Sequence, residues 1–150
     1  MSKHDKTYTI LMVDDDAEDC LLIDDAVKEL RQPHELRFVR DGEELFDYLK
    51  RQGEYEDKRS SPYPDLILLD LKMPKQDGRE TLRQLKDDAA LRRIPVVVLT
   101  TSTAPDDVNF CYDVHANAYM IKPDSFRGLV ELIRIIGNYW FELAALPSEN

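Results

Sequence analysis

The sequence predicts an α/β fold, a doubly wound parallel sheet of five strands with five helices on its two faces. Two observations predict it. Short apolar runs alternate with amphipathic stretches along the 150 residues, the rhythm of a parallel sheet crossed over by helices. The runs are also continuously apolar, as in DLILLD (65–70) and PVVVL (95–99), which is how strands covered on both faces read.

Each element follows from its residues. Residues 8–13 form an apolar run that stops at Asp14, Asp15 and Asp16, a buried strand with Asp16 placed to cap what comes next. Residues 17–30 are helical, with Cys20, Ile23, Val27 and Leu30 at three- and four-residue steps and Glu18, Asp25 and Glu29 between them. Gln32-Pro33 ends that helix. Residues 36–39 are a second strand. Asp41-Gly42 is a turn that opens a helix carrying Leu45, Phe46 and Leu49, with Gly53 as its stop. Residues 53–64 are polar and Pro-containing, a surface loop. The run 65–70 is the strand for the sheet centre, followed by turn signals at Met73-Pro74 and Asp77-Gly78. Then come a helix over 79–88, a strand over 95–99, a helix over 104–114 opened by Pro105 and Asp106, a strand over 118–121 and a last helix from Ser125 to about Ala145.

The length suits a single domain over 1–150, with a core of about 8–137 and a C-terminal segment 138–150. Twenty basic and thirty acidic residues give a net charge of −10, which disfavours nucleic acid and anionic membrane surfaces as partners. Cys20 and Cys111 are too few for a disulfide framework. No signal-peptide core follows the N-terminus, and no apolar run approaches the ~20 residues of a membrane span. A cytoplasmic protein with reduced thiols is the expectation. His4, His34 and His115 are scattered and unpaired with the cysteines, so zinc chemistry has no support.

Ligands of an open doubly wound sheet bind beyond the carboxyl ends of the strands, where the strand order reverses. With the order 2-1-3-4-5, the flavodoxin-like arrangement, Asp14, Asp15 and Asp70 converge in one crevice. Carboxylates that close repel unless a cation sits among them. Mg²⁺ takes few protein oxygens and keeps waters, which suits two carboxylates, a backbone carbonyl and an open position. A carboxylate can itself attack phosphorus and form an aspartyl phosphate, with the metal neutralising the phosphoryl oxygens. Lys122 supplies a cation from the other side and Thr100 a hydroxyl.

These residues resemble the receiver domain of two-component response regulators. VDDD closes the first strand, LILLDLKMPKQDG surrounds the third, PVVVLTT marks the fourth and AYMIKP the fifth, and the resemblance covers residues 8–137. It implies Asp70 as phosphoacceptor, Asp15 and Asp14 as Mg²⁺ ligands together with Asp70 and the main-chain carbonyl of Lys72, and Thr100 as the switch hydroxyl. It further implies Lys122 as partner of the phosphoryl group, Tyr119 as the aromatic that turns inward, a cis Lys122-Pro123 bond and close chain passage at Gly78. The phosphoryl donor would be a sensor histidine kinase. The chain would be no enzyme beyond Mg²⁺-dependent transfer to its own Asp70 and slow self-dephosphorylation. Two positions depart from the usual pattern. Lys72 is cationic where many members carry a neutral residue, and Thr101 is bulkier than the Ala or Gly often found after the switch threonine. Both border the phosphoryl-binding site.

No effector segment is expected beyond the receiver, so output is expected through protein contact. The last helix carries apolar residues over more than half its circumference, beyond what one sheet face needs. Leu132, Ile135, Tyr139, Trp140 and Phe141 are the expected contacts of a homodimer through the fourth helix, fifth strand and last helix. GNYWFELAALP and the 53–64 insertion are similar to the single-domain response regulators of cyanobacterial and bacterial phytochromes, which implies a light-regulated kinase as partner. The other readings are less well served. A pseudo-receiver that is never phosphorylated would not need all five site residues. A haloacid-dehalogenase-type phosphatase wants an acid at position 72. A flavodoxin-like electron carrier wants a Ser/Thr/Gly-rich phosphate loop after the first strand.

Overall fold

The computed structural model describes residues 7–30, 34–73 and 77–149. Its five strands, β1 (Thr9–Val13), β2 (Glu35–Val39), β3 (Leu66–Leu69), β4 (Val96–Thr100) and β5 (Ala118–Ile121), form one parallel sheet in the order β2-β1-β3-β4-β5. Register pairs Ile10 with Leu66, Leu69 with Val98 and Thr100 with Ile121. The three central strands are buried along their whole length while the edge strands β2 and β5 are half-exposed, as their continuous apolar runs require. The helices are α1 (Ala17–Lys28), α2 (Gly42–Leu49), α3 (Gly78–Asp87), α4 (Pro105–Asp113) and α5 (Phe126–Gly137). Gln32-Pro33, Pro74 and His4 lie outside the described residues.

Alternation along the strands divides the core into two layers. Leu11, Val13, Ile67, Leu69, Val96 and Val98 face α2, α3 and α4. Ile10, Met12, Leu66, Leu68, Val97 and Leu99 face α1 and α5. Side-chain caps start four of the helices. Asp16, Asp41, Asp77 and Ser125 each accept a hydrogen bond from a first-turn amide, and α4 starts instead with Pro105. Lys86, near the end of α3, donates to the carbonyls of Arg92 and Ile94 and to Asn117 Oδ1 at 2.9–3.1 Å, fastening that helix to the amino ends of β4 and β5. Burial pulls its pKa down to about 8.

The loop after α2 is shorter of freedom than its composition implies. Gly53 takes a positive φ of 62° and opens a 3-10 turn, Gly53–Tyr55, instead of ending α2. Tyr48 Oη donates to the Pro62 carbonyl at 2.6 Å, and the buried Ser61 donates to the Tyr55 carbonyl at 2.8 Å. Arg51 reaches the Ser61 carbonyl and forms an ion pair with Glu149 of the C-terminal tail. The tail therefore crosses to the amino-terminal edge of the sheet.

The last helix departs from expectation. Regular α-helix ends at Gly137 and a π-helical turn, Asn138–Leu143, follows, with the Ala144 amide bonded five residues back to the Tyr139 carbonyl at 2.8 Å. The wider turn moves the inward position by one residue. Phe141, expected at the dimer face, is instead fully buried, stacked on Tyr8 with ring centroids 4.6 Å apart and packed against His34 at 4.7 Å. Leu132 and Trp140 pack partly against the same core, whereas Ile135 and Tyr139 are about half-exposed, at 49% and 55%. The Lys122-Pro123 bond is trans, no cis bond occurring among the described residues. The trans isomer is the lower-energy state of an X-Pro bond, and this strand end does not override it.

Two consequences can be measured. Phe141→Ala is expected to cost about 3–5 kcal/mol in denaturant unfolding, the range for emptying a buried aromatic site, while Tyr139→Ala stays within about 0.5 kcal/mol. Burial lowers the His34 pKa, with the charge of Glu142 opposing, and its Nδ1 accepts from the Tyr8 amide at 3.4 Å. The unfolded chain therefore binds the proton first, so this contribution is present above the unfolded value of about 6.5 and lost as pH falls through the lowered native value. Urea midpoints above and below that pH should fall further for the wild type than for His34→Asn.

Candidate functional site

The site lies beyond the carboxyl ends of β1 and β3, the neighbours at which strand order reverses. The Asp70 amide bonds to the Val13 carbonyl at 3.0 Å, which sets Asp14 and Asp70 side by side. Strand alternation then decides which side chains meet. Asp14 continues the parity of Ile10 and Met12, Asp70 that of Leu66 and Leu68, and Lys122 that of Ala118 and Met120. All three emerge on the α1/α5 face. Asp19, in the first turn of α1 and one turn before the buried Ile23, faces the same way.

These four side chains form one ionic cluster. Lys122 Nζ lies 2.7 Å from Asp19 Oδ2, 2.8 Å from Asp14 Oδ2 and 3.2 Å from Asp70 Oδ2. Asp14 is 1% and Asp70 7% exposed. Asp14 Oδ1 accepts from the Asp16 amide at 2.9 Å, and Asp70 Oδ1 from the Lys72 amide at 3.1 Å. Burial raises the Asp14 pKa. The hydrogen bonds from Lys122 and the Asp16 amide oppose that rise, and the charge of Asp70 reinforces it. For Lys122, burial alone would lower the pKa, but the hydrogen bonds to Asp14 and Asp19 and the charges of Asp14 and Asp70 win and hold it above the ordinary lysine value.

Carboxylate oxygens of Asp14, Asp19 and Asp70 lie within 4.8 Å of one another. An all-oxygen donor set suits a hard divalent cation. One ammonium balances only one of the three carboxylates, so the chemistry of the cluster fits such an ion. Asp15, expected as a direct ligand, stands outside this group. It is exposed and lines an open crevice of about 530 Å³ that it shares with Asp19, Asp70 and Lys122 of the cluster and with Asp16, Lys72 and Thr101. Asp19 is the third carboxylate of the close group. The sequence carried a signal for it, since a residue four before an inward Ile at the helix start must face the sheet.

Parity also sorts the remaining residues. Thr100 follows Val96 and Val98 onto the opposite face and is fully buried, while Thr101 reaches the crevice, where its Oγ1 accepts from Lys72 Nζ at 3.0 Å. Tyr119 packs with the α2–α4 layer and its hydroxyl donates to the Ser102 carbonyl at 2.8 Å. Ser102 Oγ donates to Asp107 at 2.6 Å, and Arg79 reaches the same carboxylate at 3.3 Å while lying over the Phe110 ring at 4.4 Å. Thr100 Oγ1 accepts from the Ser102 amide at 3.5 Å, so Thr100 and Tyr119 both contact the β4–α4 loop at Ser102. Gly78 is required where α3 begins, since a Cβ there would stand 2.6 Å from the Asp70 carbonyl oxygen and 2.5 Å from Leu71 Cα.

Comparison with known proteins agrees with this geometry. Residues 10–134 match the response regulator receiver domain family. The chain is 44% identical over 139 residues to "Response regulator Rcp1" of Synechocystis sp., covering 93% of this chain and 92% of that protein. Among solved structures, the phosphorylated cyanobacterial phytochrome response regulator RcpA is 43% identical with a TM-score of 0.88, covering 95% of this chain and all of that one. The Mn²⁺-bound form of Rcp1 is also 43% identical, with a TM-score of 0.84, covering 94% and 99% of the two chains. An acidic crevice at the switch point, a lysine from the last strand and a family match over most of the length lead to one conclusion: the chain belongs to the response regulator receiver domain family of two-component signalling and is similar to the response regulators of phytochromes.

Proposed function

We propose that the chain accepts a phosphoryl group from a sensor histidine kinase onto Asp70 and thereby switches a protein-interaction surface. The observation that carries this reading is the placement of Asp70. It is a nearly buried carboxylate at the end of the central strand, with one oxygen on Lys122 and the other on the Lys72 amide. Such a carboxylate can attack phosphorus: a bond forms from its oxygen to phosphorus as the bond from phosphorus to the donor's nitrogen breaks, and the imidazole leaves. Mg²⁺, held by Asp14 and Asp70 with Asp15 on the crevice wall and the Lys72 carbonyl as further oxygens, would neutralise charge on the transferring group. Lys122 pairs with a phosphoryl oxygen. Thr100 supplies a hydroxyl donor from the opposite face, Thr101 shapes the entrance, and Tyr119 follows Thr100 through the Ser102 loop. Phosphorylation adds charge and acceptors at Asp70, and the equilibrium shifts toward the state in which these donors are engaged.

Similarity to Rcp1 and RcpA supports a phytochrome-type kinase as the phosphoryl source, and a cytoplasmic setting goes with that partner. No described helix is long and apolar enough to cross a membrane. Ile135, Tyr139 and Leu143, spaced four apart and exposed, together with Ile121 and Phe126, support a homodimer through α4, β5 and α5. Leu132 and Trp140 would border that face.

Incubation with Mg²⁺ and a small phosphodonor should add one phosphate by intact mass, and Asp70→Asn should abolish the adduct. A wild-type chain that stays unmodified would favour the unphosphorylated interaction module instead. Because Lys72 bridges to Thr101 over the crevice, Lys72→Ala should change the decay rate of the aspartyl phosphate about threefold or more, as loss of a charged hydrogen bond near the reacting atom implies. Equal decay rates, followed by mass after removal of the donor, would confine Lys72 to its backbone contacts.

A further inference from the structure

We propose that Asp19 is a positioning residue of this site: it competes for the Lys122 ammonium and so limits how firmly Lys122 engages the group carried on Asp70. The inference rests on the phosphoacceptor reading and adds a residue to it. An ammonium has three N–H donors. In this structure all three have carboxylate partners, and the shortest contact, 2.7 Å, goes to Asp19 while the longest, 3.2 Å, goes to Asp70. Asp14 is fully enclosed and fixed through its second oxygen by the Asp16 amide. Asp19 is different. It stands on α1, its side chain is 36% exposed, and it can exchange the ammonium for water at little cost. When a phosphoryl group appears on Asp70, its oxygens compete for the same three donors, and Asp19 is the partner able to yield. Its charge makes it a stronger acceptor than a neutral amide would be, so it taxes every contact between Lys122 and the phosphoryl group.

The test uses the full chain, saturating Mg²⁺ and beryllofluoride, which mimics a phosphoryl group on a carboxylate. Asp19→Asn should bind beryllofluoride about tenfold more tightly than wild type, and Asp19→Glu should stay within about twofold, a span set by one charged hydrogen bond. Equal or weaker binding by Asp19→Asn, with a native circular-dichroism spectrum, would overturn the proposal. A purely structural role would move the unfolding midpoint without this gain in affinity. Should Asp19→Asn fail to fold, the wild type still decides. The Asp19 carboxyl ¹³C resonance should shift as beryllofluoride saturates the site, and an unmoved resonance refutes the competition. If the wild type does not bind beryllofluoride, or if binding survives Asp70→Asn, the phosphoacceptor reading fails and the role of Asp19 falls with it.

Discussion

One lysine holds the acidic end of this sheet together. Lys122 comes from the edge strand β5, two strands away from β3, yet its ammonium stands among carboxylates from β1, β3 and α1. Its root is fixed, since its amide bonds to the Thr100 carbonyl at 2.8 Å. A carboxylate as enclosed as Asp14 is tolerable only with such a partner, because desolvation of a lone charge costs several kcal/mol. The order β2-β1-β3-β4-β5 brings the acids together, and the long lysine stem crosses the remaining distance. Fold and site are in this sense one constraint.

The period-two alternation of the strands then partitions the work. Carboxylates and the ammonium lie on the face shared with α1 and α5, whereas Thr100 and Tyr119 lie on the face shared with α2, α3 and α4. The two faces meet at the sheet's end, where Lys72, two residues after Asp70, donates to Thr101 ahead of the β4–α4 loop. That loop is tied down by Ser102, which accepts from Tyr119 and donates to Asp107.

Much of this was legible in the residues. Continuous apolar runs located the three central strands because burial on both faces leaves no alternation to misread, and the acids, hydroxyl and lysine at the strand ends located the crevice. Three features were not legible. Asp19 joins the cluster through the α1 register, one turn before the buried Ile23, and the motif spacing alone does not single it out. Phe141 is core because a π-helical turn adds a residue to the period, and no α-helical wheel anticipates that insertion. The Lys122-Pro123 bond is trans, the ordinary preference of an X-Pro bond, where the resemblance implies cis. The family resemblance supplied roles that spacing alone leaves open, such as which of three acids receives phosphorus.

The Arg51–Glu149 ion pair has a practical corollary. It anchors the chain's last described residue beside the 53–64 loop, at the edge of the sheet opposite the acidic crevice. A reporter group attached near this anchor would ride on the molecule's far pole. It would leave the crevice mouth clear while remaining referenced to the core through Leu146 and Phe141.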